Sequence, residues 1–132
     1  FLSEPGESSR RVVRAGERVV LNGAARTNAA VRSAIQTSGI RFELASPESA
    51  ETIEAIYGRY EPGASLGDEP VTHEGEEWGM VLRGRLKVWV GDEIHFLDPG
   101  DAIWYPSTTP HRMENVADEP TEYIWIDTPK SF

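Results

Sequence analysis

The most informative segment of the sequence is His73-Glu-Gly-Glu-Glu-Trp-Gly-Met-Val-Leu-Arg-Gly84. Its central residues 78–82 predict a β-strand, and Gly84 marks a turn after it. In an extended strand, residues four apart point to the same side, so His73 and Glu77 can converge, and closure of a barrel would aim that side inward. The opposite face of this strand carries apolar side chains that we expect to pack between sheets or at a dimer interface: Trp78, Met80 and Leu82.

Similar short strands flank this stretch on both sides, separated by turns that contain Gly and Pro. The predicted strands cover residues 40–44, 53–60, 86–90, 94–97, 102–105, 111–115 and 123–126. The turns at Arg83-Gly84 and Gly91-Asp92-Glu93 predict two tight hairpins in succession. Many short strands at roughly 8–12-residue spacing predict an all-β fold, either a sandwich or a jelly-roll barrel.

The N-terminal part of the chain is less regular than the rest. Residues 10–21 contain two Val-rich pieces, and residues 22–38 are rich in Ala, Ser and Thr, with too few apolar residues for a helical stripe. We therefore expect N-terminal strands and an Ala/Ser/Thr-rich excursion in residues 1–52, packed on a barrel core formed by residues 53–132. A chain of 132 residues has the usual length of one domain, so we predict a single domain.

The charge and composition of the chain restrict its partners. With 13 Lys and Arg against 22 Asp and Glu, the net charge is −9, so these residues are not expected to bind nucleic acid directly. Because the chain contains no Cys, any metal must be held by His and carboxylate side chains. No apolar run approaches the roughly 20 residues that span a bilayer, so we expect no membrane partner and a cytoplasmic location.

Two segments resemble the two sequence motifs of the cupin family. The first motif is a His-x-His pair followed by a Glu and a Gly, and the chain matches its second half with His73, Glu77 and Gly84. Val71 stands at the position of the first His. The second motif is matched by Gly100, Pro106, His111 and Asn115, with Thr108 in place of an inner Gly. The resemblance covers about residues 53–127 and implies the cupin double-stranded β-helix, a jelly-roll barrel.

The same resemblance implies a metal or ligand site made of His73, Glu77 and His111. Two His and one carboxylate hold Zn(II), Fe(II), Mn(II) or Ni(II) with open positions. Since Val71 removes one of the family's usual four ligands, two alternatives stay open: an organic ligand bound without a metal, or hydrogen-bonded polar residues at a barrel mouth. Pocket lining, or ordinary barrel packing, is expected for Tyr105, Met113 and Trp125, and also for Trp89 and Trp104.

A narrower resemblance is to the C-terminal cupin domains of XRE-type helix-turn-helix transcription regulators. It rests on residues 73–84, on Ser107-Thr-Thr-Pro-His-Arg112 and on the ending Thr128-Pro-Lys-Ser-Phe132. It implies a homodimeric domain that senses a small-molecule effector, such as a polyamine or an amino acid. DNA would be contacted only through a helix-turn-helix domain located before Phe1.

A second hypothesis uses the same three side chains. A free-standing metal-dependent cupin enzyme, whether an oxygenase, an isomerase or a decarboxylase, would also place its metal on them. The missing first His at Val71 and the lack of an obvious further general base favour the sensor. The lack of a DNA-binding helix in these residues favours the enzyme, and the site by itself leaves the choice open.

Overall fold

The computed structural model describes residues 11–21 and 39–130. Within these residues a short 3-10 turn, Ala15–Glu17, precedes nine strands. The strands are β1 (Val19–Val20), β2 (Ile40–Leu44), β3 (Glu54–Tyr60), β4 (Glu76–Arg83), β5 (Leu86–Val90), β6 (Glu93–Leu97), β7 (Ala102–Pro106), β8 (His111–Asn115) and β9 (Thr121–Thr128). The all-β prediction is confirmed, and the predicted excursion at residues 22–38 lies outside the described residues.

The strands form two antiparallel sheets with the core between them. A six-stranded sheet has the order β1-β2-β3-β9-β4-β7, and a three-stranded sheet has the order β6-β5-β8. Every second residue of β3 and β9 is buried, as strand alternation requires. The buried apolar core consists of Leu21, Ile40, Phe42, Leu44, Ile56, Tyr60, Ala64, Val81, Leu86, Val88, Leu97, Tyr105, Tyr123 and Trp125. Removal of these side chains from water is the main driving force for the fold.

The two N-terminal strands are part of the larger sheet. β2 pairs with β3 along its whole length, and β1 pairs with the end of β2. Leu21, which follows β1, is completely buried, and its backbone N–H donates to the carbonyl oxygen of Phe42 at 2.8 Å. The division of the chain between residues 52 and 53 stays a prediction.

The connection between β4 and β5 is not the predicted hairpin. β4 lies in the six-stranded sheet and β5 in the three-stranded sheet, so that prediction is wrong. The chain changes sheets at Gly84, where φ is +82° and an added Cβ would lie 2.4 Å from Thr121 Oγ1. The Thr121 hydroxyl accepts from the N–H of Arg85 and donates to its carbonyl, both at 3.0 Å. The second predicted hairpin, between β5 and β6, is confirmed.

Trp89 and Trp104 do not line the barrel, contrary to the prediction. Trp104 precedes the inward-facing Tyr105 on β7, so alternation turns it outward and leaves it 59% exposed. Trp89 lies on the outer face of the smaller sheet, where Lys87 Nζ and Arg112 Cζ are 4.5 and 4.3 Å from its ring centroid.

Trp78 and Met80 also lie on the outside of the larger sheet and not between the sheets. Trp78 is 37% exposed, and Leu82, at a bulge in β4, is also exposed. Register places these residues beside others of β7 and β9 that point the same way. We call this patch the outer apolar face: Trp78, Met80, Ala102, Trp104, Ile124 and Ile126.

Candidate metal or ligand site

The predicted site residues come from both sheets and meet at Glu77. Glu77 is the second residue of β4 and points inward, and His111 is the first residue of β8; each is 4% exposed. His73 lies in the segment that leads into β4, and its backbone N–H donates to the carbonyl of Ser107 at 3.0 Å. The predicted convergence of the three side chains is therefore present in the structure.

Backbone contacts hold the two histidines in place. Val71 and His111 exchange a pair of backbone hydrogen bonds of 2.9 and 3.0 Å, which ties the segment before β4 to β8. Between His73 and Glu77, Gly75 adopts φ +101°, and an added Cβ would lie 2.1 Å from the carbonyl oxygen of Thr128. Glycine is required there, because any other side chain would push this segment away from β9.

One oxygen of Glu77 faces both imidazole rings. Glu77 Oε2 lies 2.6 Å from His73 Nε2 and 2.9 Å from His111 Nε2. Both distances are short enough for a hydrogen bond whenever the imidazole carries a proton on Nε2. The two imidazole rings approach edge to face, with centroids 5.2 Å apart.

The other ring nitrogen of each histidine is bonded to the backbone. His73 Nδ1 lies 3.1 Å from the carbonyl of Glu74, and His111 Nδ1 lies 2.9 Å from the carbonyl of Thr109. Because a carbonyl oxygen only accepts, Nδ1 carries the proton in both rings. A neutral ring then has its lone pair on Nε2, which is the arrangement typical of a metal-binding His.

The second oxygen of Glu77 is bound by two aromatic donors. The hydroxyl of Tyr105 donates to Glu77 Oε1 at 2.7 Å, and the indole N–H of Trp125 donates to the same oxygen at 2.9 Å. Tyr105 and Trp125 are 1% and 4% exposed. The predicted pocket-lining residues Tyr105 and Trp125 are therefore in direct contact with the site, whereas Met113 is partly buried and packs against the core.

The buried site favours the charged form of Glu77. Burial raises the pKa of its carboxyl, but the neighbouring His111 and the Tyr105 and Trp125 donors outweigh burial and lower the pKa to about 2. For His111, burial lowers the pKa, but the Glu77 carboxylate outweighs it and the net shift is upward. Burial, followed by the charge of Glu77, raises the pKa of Tyr105, which stays a protonated donor.

This arrangement fits a divalent metal. In their neutral forms the two histidines and Glu77 point three electron-pair donors at one another. Either a proton on an imidazole or a bound metal ion would relieve the repulsion between them. The three ligand atoms lie within 4.8 Å of one another. Two imidazole nitrogens and one carboxylate oxygen suit Zn(II), Fe(II), Mn(II) or Ni(II).

Two further acidic residues of the site region were not found from the sequence. Glu54 and Asp127 are cross-strand neighbours on β3 and β9, and Asp127 is in turn opposite Glu77 on β4. All three carboxylates are buried, and the charge of Asp127 contributes to the raised pKa of His111. The alternation of β9 carries the signal, because Tyr123, Trp125 and Asp127 share one face, but only strand pairing places Asp127 beside Glu77.

Asn115, the last residue of the second motif, has a structural part and does not reach the site. It is completely buried, and its amide group donates to the carbonyls of Tyr60 and Glu119, both at 2.9 Å. Its side-chain oxygen accepts from the N–H of Ala117 at 2.8 Å. Asn115 thus joins the end of β8 to β3 and to the turn before β9.

Fold and site together define a cupin. The cupin domain family model matches residues 56–127, which is more than half of the chain, and the chain belongs to this family. The HTH-type transcriptional regulator PuuR of Escherichia coli (strain K12) is 30% identical over 81 residues, which cover 61% of this chain and 43% of the regulator. The chain therefore spans less than half the length of this relative.

Solved structures share the fold. The Cupin_2 domain of an XRE family transcriptional regulator from Enterobacter cloacae superposes with a TM-score of 0.62 at 19% identity, covering 70% of this chain and 99% of that one. A cupin-superfamily sugar phosphate isomerase from Silicibacter pomeroyi gives 0.71 at 20% identity, covering 89% and 75%. The resemblance to cupin domains of XRE-type regulators is confirmed, and the fold is one that regulators and enzymes share.

In the part of the chain that the structure describes, no helix combines the length and the apolar character needed to cross a bilayer.

Proposed function

We propose that this chain is the small-molecule-sensing cupin domain of a bacterial transcription regulator of the cytoplasm. An effector enters the barrel beside Tyr105, Met113 and Trp125, and His73, Glu77 and His111 hold it directly or through a divalent metal. Effector binding favours one conformation or dimer geometry and so changes the DNA affinity of an attached helix-turn-helix domain. In this proposal no bond of the effector is made or broken.

The observation that carries the proposal is the convergence of His73 Nε2 and His111 Nε2 on one buried oxygen of Glu77, at 2.6 and 2.9 Å. A bound divalent ion would supply a Lewis-acid contact for an effector carboxylate, hydroxyl or amine. The match to a transcription regulator over 81 residues supports the sensing part of the proposal.

Metal binding is tested by calorimetric titration of the chain with Zn²⁺ and Mn²⁺ after chelator treatment. We expect one ion per chain, and we expect His111→Gln to abolish binding because it removes a buried ligand. His95→Gln is the matched control, since His95 lies on β6, has a half-exposed side chain and pairs with Glu93. Binding that survives in the His111 variant would contradict this metal centre.

Sensing is tested on the product of the native gene. We expect its intact mass to exceed that of the chain by a small helical domain, and its affinity for operator DNA to change on addition of a polyamine or amino acid. A native product that begins near Phe1 would contradict the regulator assignment. So would an operator affinity that no member of a metabolite library changes.

A free-standing metal-dependent enzyme is the second candidate, because two histidines and one carboxylate leave metal positions open for a substrate. Oxygen consumption, isomerisation or decarboxylation by the metal-loaded chain would establish it. Loss of that turnover in His111→Gln, with retention in His95→Gln, would assign the activity to this site.

We further propose that two copies of the chain pair through the outer apolar face. With a net charge of −9, two copies repel each other over most of their surfaces. A two-fold interface joins a patch to its own copy, so an uncharged patch is suitable. Trp78 and Met80, with their cross-strand neighbours on β7 and β9, carry no charge. Charged residues border the face, with Arg83 and Glu122 at one end and Glu76 at the other, the pattern of an apolar interface core with a polar rim.

Light scattering on the chain tests this pairing. We expect a mass of twice 14.7 kDa for the unmodified chain. The Trp104→Lys variant should have the monomer mass, because pairing would bury the charge of the new lysine in the interface. Ile94→Lys is the control, since Ile94 is 52% exposed on the other sheet, and this variant should remain paired. A monomeric unmodified chain would contradict the proposal.

A further inference from the structure

Glu77 is held asymmetrically by the residues around it. Both aromatic donors reach the same carboxylate oxygen, Oε1, at 2.7 Å from Tyr105 and 2.9 Å from Trp125. Both imidazoles face the other oxygen, Oε2. A carboxylate oxygen has two lone pairs in its plane, so two donors occupy the capacity of Oε1.

We propose that Tyr105 and Trp125 are positioning residues that make Glu77 a one-oxygen ligand, with only Oε2 available between the two histidines. This inference rests on the proposed metal or ligand site and specifies how that site is built. With Oε1 occupied, Glu77 contributes one ligand atom and cannot chelate an ion with both oxygens. The two histidines and Oε2 then present three protein ligands and leave the remaining positions to an effector.

In both hydrogen bonds the aromatic residue is the donor and the Glu77 carboxylate is the acceptor. An indole N–H only donates, and the Tyr105 hydroxyl at 2.7 Å from Oε1 is the donor because an ionised carboxylate only accepts. Tyr105 is also the direct cross-strand neighbour of Glu77, so β-pairing fixes their separation. The ring centroid of Tyr105 also lies 4.8 Å from that of His111. Tyr105 therefore contacts both Glu77 and His111.

The backbone of β4 makes room for the second donor. Trp125 is opposite Gly79, and an added Cβ there would lie 2.0 Å from the indole ring. The indole therefore rests on the strand backbone two residues from Glu77, and its N–H reaches Oε1.

The experiment compares Tyr105→Phe with Tyr123→Phe in the 132-residue chain. Each variant removes one hydroxyl from a buried Tyr on the inner face, but only Tyr105 bonds to Glu77. We expect Zn²⁺ affinity measured by competition with a chelating dye to fall about 10- to 100-fold in Tyr105→Phe. Affinity in Tyr123→Phe should stay within about twofold of the unmodified chain.

A second readout separates positioning from simple loss of stability. The visible absorption of bound Co²⁺ depends on the number and geometry of its ligands, and we expect Tyr105→Phe to change the spectrum when Glu77 is free to offer both oxygens. Equal Zn²⁺ affinity together with an unchanged Co²⁺ spectrum in Tyr105→Phe would overturn the inference.

A metal-free measurement keeps this inference separate from the proposed metal centre. In the unmodified chain the indole N–H of Trp125 should exchange slowly with solvent in NMR spectra. Its resonance should shift in Glu77→Gln and in Tyr105→Phe, but not in Tyr123→Phe. If the unmodified chain binds no metal, the metal proposal fails. Fast exchange of the indole N–H would overturn the inference that Trp125 positions Glu77. So would an indole resonance that shifts in neither Glu77→Gln nor Tyr105→Phe.

Discussion

Glu43 on β2 is a buried acidic residue that pairs with two arginines. Its carboxylate accepts from Arg18 Nε at 2.7 Å and from Arg41 Nε at 2.5 Å. Burial raises the pKa of the carboxyl, but the hydrogen bonds and charges of the two arginines outweigh burial and lower it below 4.5. The ionised form is therefore more favourable in the folded chain than in the unfolded one.

At the residue scale we predict that Glu43→Gln lowers the free energy of unfolding by about 1–2 kcal/mol at pH 7. A lowered pKa in the folded state gives stability that is present above the unfolded value and is lost as pH falls through the folded value. The difference between the two proteins in urea denaturation should therefore shrink at acid pH. Glu51→Gln, at an exposed position, is the control. A difference that grows as pH falls would contradict this account.

At the scale of the element, strand alternation assigns each side chain to a face. Tyr105 and Trp104 are neighbours on β7, yet one bonds to Glu77 and the other faces solvent. The same rule turns Gly79 inward, where it lies beneath the ring of Trp125. The close fit of β4 against β9 depends on this glycine.

We predict that Gly79→Ala lowers the free energy of unfolding by about 1–3 kcal/mol, because the new methyl group overlaps the indole ring and must displace it. Urea denaturation measures the loss, and near-ultraviolet circular dichroism reports the displaced indole. Gly16→Ala is the control, since no atom lies within 4 Å of the added Cβ. Equal stability of the two variants would show that the space between β4 and the Trp125 ring accepts a methyl group, and would contradict this prediction.

At the scale of the whole molecule, the site joins the two sheets, so a ligand there should stabilise the entire fold. At a Zn²⁺ concentration 100 times the Kd, we expect about 2.7 kcal/mol of added stability. For a chain of this size that corresponds to an increase in Tm of about 10 °C, measured by calorimetry. The increase should vanish in Glu77→Gln and persist in Glu74→Gln, whose side chain is exposed. A Tm that Zn²⁺ raises equally in both variants would place the ion elsewhere.

The sequence predicted the strands and the three side chains that converge in the structure. Strand periodicity is local, so the predicted strands agree with the structure to within two residues at either end. The spacing of His73 and Glu77 put both on one side of the chain, and the cupin motif supplied His111.

The pairing of the strands and the surroundings of the three side chains became visible in the folded structure alone. It placed β4 and β5 in different sheets, turned Trp89 and Trp104 outward, and brought Asp127 beside Glu77. In the folded chain, Tyr105 and Trp125 bind Oε1 of Glu77, whereas Oε2 faces the two histidines. Those donors are 28 and 48 residues away from Glu77 along the chain. Contacts at such separations depend on strand pairing and register, which a local pattern of residues does not encode.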